Sequence, residues 1–197
     1  MKKQSAKSAL INSTEHEIKR LLCGIGQSKI TEKEIEISEY PFEPSIAYPN
    51  KLIKANEIDF IGADFGVCKI YLANDIVFIS AEKKAELKAF ADSNNINLIE
   101  YSWNWDWILE PYLDIEFTKE NEKLALERLR ENGIDQEEVK QIRAEVGKQM
   151  FKYNFETMLW DWCSLNLVDV LSAMRVKYDK DEFREFYKRA IEIDKRN

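Results

Sequence analysis

Val67-Cys68-Lys69-Ile70-Tyr71-Leu72-Ala73-Asn74-Asp75-Ile76-Val77-Phe78-Ile79 is the stretch on which the fold turns. Its two runs are rich in β-branched and aromatic residues. They flank Asn74-Asp75, so the stretch predicts two strands joined by a tight turn. Just upstream, Ile58, Phe60 and Ile61 lead into a turn around Gly62–Gly66. Further back, Ile35 and Ile37 alternate with Glu34, Glu36 and Ser38, the period of a half-buried strand within Ile30 to Tyr40. Pro41, Pro44 and Pro49 mark an irregular crossing between the two regions. At the start of the chain, residues 1–12 are polar. Ser13-Thr14-Glu15 then opens a helix carrying Ile18, Leu21 and Leu22 on one face, ended by Gly24 and Gly26.

Working downstream, Glu82 to Asp92 reads as a helix with Leu87, Phe90 and Ala91 on one side. Asn94-Asn95 stops it, and Ile96 to Tyr101 reads as a further strand. Past Trp107 the pattern becomes helical. Thr118 opens a helix closed by Asn132-Gly133, and Asp135 with Glu138 offers a capping box for Val139, Ile142, Val146 and Met150. A third apolar run spans Phe155 to Met174. Asp179 with Glu182 caps a last helix striped by Phe183, Phe186, Tyr187 and Ile191. The fold class expected is therefore α+β: an N-terminal antiparallel sheet with a packed helix (residues 1–103), then a C-terminal helical module (residues 104–197).

Composition narrows function more by exclusion than by assignment. The 197 residues are 45% hydrophobic and 12% aromatic, enough to fill a sizeable core. The net charge is −7, and no run of Lys or Arg exceeds two, which argues against nucleic acid as partner. Cys23, Cys68 and Cys163 lie far apart without a CxxC, as fits free thiols in a reducing cytoplasm. No apolar run approaches the length of a membrane span, and the basic start lacks the apolar core of a leader, so no membrane association is expected.

Motifs that suggest chemistry fail on their context. Asp64-Phe65-Gly66 matches a kinase metal-binding triplet, but the chain has no room for the rest of that apparatus, and a Gly-bounded turn is the simpler reading. Gly24-Ile25-Gly26 lacks the third glycine and the preceding strand of a dinucleotide site. The single histidine, His16, sits between glutamates in the first helix. One histidine excludes two-histidine nuclease chemistry and an HExxH zinc site. A carboxylate pair cannot be picked by spacing among 36 acids. No catalytic, cofactor-binding or metal-ligating residue is assigned. The expectation is a protein without cofactor and without catalysis of its own.

One compositional feature survives. From Ala89 to Thr118 there is no Lys or Arg, while Asp92, Glu100, Asp106, Glu110, Asp114 and Glu116 accompany Tyr101, Trp103, Trp105, Trp107, Tyr112 and Phe117. In Trp103-Asn104-Trp105-Asp106-Trp107 the tryptophans recur with period two, so an extended chain would put all three on one face. Exposed tryptophan ringed by carboxylate suits recognition of a basic protein. The partner-binding set read here is Trp103, Trp105, Asp106, Trp107, Glu110, Asp114 and Glu116. The alternative for the tryptophans is that they plug the joint between the two modules, with the acids merely solvated. A second base-free run, Tyr153 to Met174, carries Glu156, Asp161 and Asp169 among apolar residues. A carboxylate there must be paired, capping or exposed.

Tyr153-Asn154-Phe155-Glu156-Thr157-Met158-Leu159-Trp160-Asp161-Trp162, then Leu167-Val168-Asp169-Val170-Leu171 and the Tyr178–Ile193 helix, resemble small bacterial immunity proteins that protect against polymorphic toxins. The resemblance covers residues 104–197 and is one of hydrophobic and aromatic positions. It implies a cytoplasmic inhibitor that masks a basic nuclease toxin by stoichiometric binding. Two other classes stay open: a regulatory or scaffolding module binding host proteins, and a carboxylate-dependent hydrolase.

Overall fold

The computed structural model describes residues 15–113, 117–156 and 164–196. In chain order the elements are α1 (Glu15–Leu21), β1 (Gln27–Ile30), β2 (Glu34–Ser38), β3 (Lys51–Lys54), β4 (Phe60–Gly62), β5 (Cys68–Leu72) and β6 (Asp75–Ile79). There follow α2 (Lys84–Asn94), β7 (Asn97–Ile99), α3 (Asn104–Leu109), α4 (Lys119–Glu131), α5 (Gln136–Glu156), α6 (Leu167–Lys177) and α7 (Lys180–Asp194). The architecture is α+β, with antiparallel strands in the N-terminal half and helices in the C-terminal half. No helix among the described residues is long and apolar enough to cross a membrane.

The chain divides into two compact units. One holds residues 24–101 together with 184–191, and the other holds residues 1–23, 102–183 and 192–197. In the first, β1-β2-β3 form an antiparallel sheet in which Ile35 stands between Ile30 and Ile53. The alternation read at 34–38 is real: Ile35 and Ile37 are buried and Glu36 is exposed. Gly26 is obligatory at its bend, since its φ is +75° and a Cβ would stand 2.5 Å from the Ser38 carbonyl oxygen.

The second sheet has the order β6-β5-β4-β7. The hairpin at its edge turns on Ala73-Asn74, one residue earlier than the sequence suggested, because Leu72 pairs with Asp75. Every residue of β5 and β6 is buried, so this hairpin is covered on both faces. Lys69 is among them, its ammonium 4.7 Å from the centre of the Tyr101 ring. The pairing is antiparallel except between β4 and β7, which run parallel because α2 lies between β6 and β7 in the chain. Asn95, at φ +54°, ends α2 where Asn94-Asn95 was expected to stop it.

Asp75 is the polar centre of this unit. Its Oδ2 accepts from Ser45 Oγ (2.7 Å) and the Ile46 N–H (2.8 Å). Its Oδ1 accepts from the Ile76 N–H (2.8 Å) and Tyr187 Oη (2.7 Å). A buried carboxylate is tolerable only when its lone pairs are filled in this way. Tyr187 stands beside Phe42, which meets Phe78 edge-on, and Tyr40 Oη receives the Phe78 N–H at 3.0 Å. Burial, with Tyr40 and Asp75 nearby, pushes the Tyr187 hydroxyl well above its ordinary range, so it stays a donor. Asp64-Phe65-Gly66 is a turn, as expected: Asp64 takes the N–H groups of Phe65 (2.9 Å) and Tyr101 (3.0 Å).

In the helical unit the expected caps are present. Thr118 Oγ1 accepts from the Asn121 N–H. Asp135 Oδ1 accepts from the Glu138 N–H, but the Glu138 carboxylate binds Arg196 rather than closing the expected box. Asp179 and Glu182 cap α7 reciprocally. Val139, Ile142, Val146 and Met150 are buried on α5, as are Phe183, Phe186, Tyr187 and Ile191 on α7.

Candidate functional site

Trp105 and Trp107 lie in the helix α3 and Trp103 is its N-cap, so the segment is not an extended chain, which corrects the one-face reading. Two clamps hold this short helix. At its start, Asn104 Nδ2 donates to the carbonyls of Ile193 (2.9 Å) and Arg196 (2.5 Å), and its Oδ1 accepts from Asn132 Nδ2 (2.7 Å). At its end, Arg143 of α5 donates from Nε to the Ile108 carbonyl (2.9 Å) and from Nη2 to the Trp107 carbonyl (3.0 Å). A cation at a helix C-terminus fills carbonyls that have no partner inside the helix. The same guanidinium binds Glu122 of α4 through Nη1, at 2.8 and 2.9 Å to its two carboxylate oxygens. Beyond the helix, Tyr112 Oη donates to the Arg143 carbonyl (2.8 Å) and the Tyr112 carbonyl accepts from Asn154 Nδ2 (2.9 Å).

Helical geometry then sorts the residues that period two had grouped. Trp105, Ile108 and Leu109 are buried, Trp105 being 1% exposed. Trp105 is therefore unavailable to a partner, against its place in the expected binding set. Trp103, Asp106, Trp107 and Glu110 stand at positions 0, +3, +4 and +7, which is one stripe of a helix. All four line a cleft of about 240 Å³, together with Leu113, Asn121, Leu124, Ala125 and Ser164. Trp103 is 39% exposed and Leu124 56% exposed, Trp107 and Glu110 are half-buried, and Asp106 is 9% exposed.

Both signs of charge bear on the cleft. Burial raises the Glu110 carboxyl above its ordinary value, and Arg143 and a hydrogen bond from Asn121 pull it back. No Lys or Arg is among the described lining residues. Asp114 and Glu116, read as part of the binding set, lie outside the described residues, as do Asp161 and Cys163. The sequence reading did not place Leu124 or Asn121 at the site. Asn121 would have followed from setting the face of α4 by Ala125 and Leu129, which are buried and lie four and eight residues on.

Comparison with known proteins leaves the site to speak for itself. No family model, curated protein or solved structure matches the chain. Among the described residues, no three His, Cys, Asp or Glu side chains gather where they could hold a metal ion.

Proposed function

We propose that this chain is a protein-binding inhibitor, an immunity-type protein that covers a basic partner such as a nuclease toxin. The observation that carries the reading is the stripe Trp103, Asp106, Trp107 and Glu110 on a helix held at both ends. Affinity between proteins comes chiefly from a few large anchors already set in their bound geometry, because little ordering entropy then remains to be lost. Tryptophan is the residue most enriched among such anchors, and flanking carboxylates steer a cationic surface toward it. The net charge of −7 acts in the same sense over longer range.

The test is to express the protein encoded immediately upstream of this gene and to titrate it with the purified chain. The expected result is a one-to-one complex in which the partner's activity is lost. Absence of both complex and inhibition would reject the reading.

A further inference from the structure

We propose that the cleft beside α3 seats a single guanidinium, the side chain of an arginine carried by the basic partner. This rests on the protein-binding reading above and names the chemistry of its anchor. Four observations converge on that occupant.

The first is size. At about 240 Å³ the cleft lies below the range of sites that enclose cofactors or drug-sized ligands, and suits one side chain. The second is aromatic lining. Trp103 and Trp107, one helical turn apart, bring two indoles to the cleft, and a cation over indole is held by the ring quadrupole, tryptophan being the best such platform. Third come the carboxylates. Asp106 and Glu110 follow the same spacing, so charge and aromatic surface alternate along the stripe. Arg143, whose charge reaches Glu110, divides its hydrogen bonds between Glu122 and the two carbonyls that end α3. The fourth is the rim. Exposed Leu124 beside Ala125 gives the aliphatic stem of a long side chain an apolar surface.

Arginine fits this set better than lysine. Its planar, weakly hydrated guanidinium can lie flat on an indole while its edge binds carboxylate, whereas an ammonium is a strongly hydrated point charge. Partial burial already raises the Glu110 carboxyl in the free protein. Neutralising it by a guanidinium therefore relieves a cost that the free protein carries.

The experiment compares three capped tripeptides, Gly-Arg-Gly, Gly-Lys-Gly and Gly-citrulline-Gly, titrated into the folded full-length protein. Tryptophan indole N–H signals are followed by two-dimensional NMR at neutral pH. Citrulline keeps the shape of arginine and removes the charge. The expected result is saturable movement of the Trp103 and Trp107 signals with millimolar affinity for the arginine peptide. The lysine peptide should bind more weakly, the citrulline peptide about tenfold or more weakly, and the buried Trp105 signal should stay in place. Glu110→Gln should weaken arginine binding, with the Trp105 signal reporting that the fold is kept. Equal response to arginine and citrulline, or no response to any peptide, overturns the proposal.

The two readings fail separately. Should the upstream-encoded protein form its complex while no peptide binds, the guanidinium seat is wrong and the inhibitor reading stands. If the arginine peptide binds and no complex forms, the reverse holds.

Discussion

Asp169 shows how the helical unit places an acid where no partner can reach it. It lies at the start of α6, where its Oδ2 takes the Asn166 N–H at 2.8 Å, and Tyr153 Oη donates to its Oδ1 at 3.0 Å. Asn166 Oδ1 in turn caps the Val168 N–H at 2.9 Å. Of the choices the sequence left for an acid in that apolar run, this one is both capping and paired. Burial nevertheless outweighs the hydrogen bonds and raises the carboxyl to about 6. A folded-state value above the unfolded one means that the folded form binds the proton more tightly between pH 4 and 6. The stability gained is fully present below about pH 4 and is lost as pH rises through 6. A shift of this size corresponds to a contribution on the order of 2–3 kcal/mol. Asp169→Asn should therefore flatten the part of the pH dependence between 4 and 7, even if the variant is less stable overall. Urea midpoints for both proteins across that range are the check. Parallel curves would mean that Asp169 does not titrate there.

Short elements separate what a local pattern can carry from what it cannot. The alternation at Glu34–Ser38, the caps of α4, α5 and α7, and the hairpin at 67–79 are signals spanning a few residues, and all were readable in the sequence. By contrast, β1 and β3 are four-residue strands rich in Lys, Gln and Ser, and only their pairing with β2 makes them strands. The same limit applies at α3. Trp103 and Trp107 fit a period of two and a helical turn equally well, and the choice is made by Arg143, 36 residues from the Trp107 carbonyl it binds. The candidate site was thus legible in its residue types and not in its geometry. A further long-range fit underlies it. Gly147 lies inside α5, where alanine would ordinarily favour the helix by about 1 kcal/mol. Its missing Cβ leaves room for Tyr112, whose Oη would stand 2.8 Å from it and ring carbons 3.2 Å. Gly147→Ala should instead destabilise by about 1–2 kcal/mol through overpacking. The cost should shrink in a Tyr112→Phe background, as a double-mutant cycle of urea unfolding would show. Additive effects would mean that the contact is not the cause.

Over the whole molecule, among the described residues, the acid excess meets exposed tryptophan at Trp103. Many of its other carboxylates are matched by nearby cations, as in Glu43 with Arg184, Glu138 with Arg196 and Glu122 with Arg143. The first two, partly exposed, contribute little stability, but pairs of this kind keep local potential low. The stripe on α3 sets aromatic rings beside carboxylates, and the two kinds of residue have different kinetic roles. Carboxylates at a rim act on encounter, while a desolvated tryptophan acts on residence time. Association and dissociation rates of the upstream-encoded protein, measured over a series of salt concentrations for the unaltered chain, Trp103→Ala and Glu110→Lys, test this most directly. Trp103→Ala should speed dissociation about 30-fold, the equivalent of an anchor contributing about 2 kcal/mol. Glu110→Lys should slow association and flatten its dependence on salt. Unchanged rates and an unchanged salt slope in both variants would contradict the claim that this face of α3 is where the protein binds.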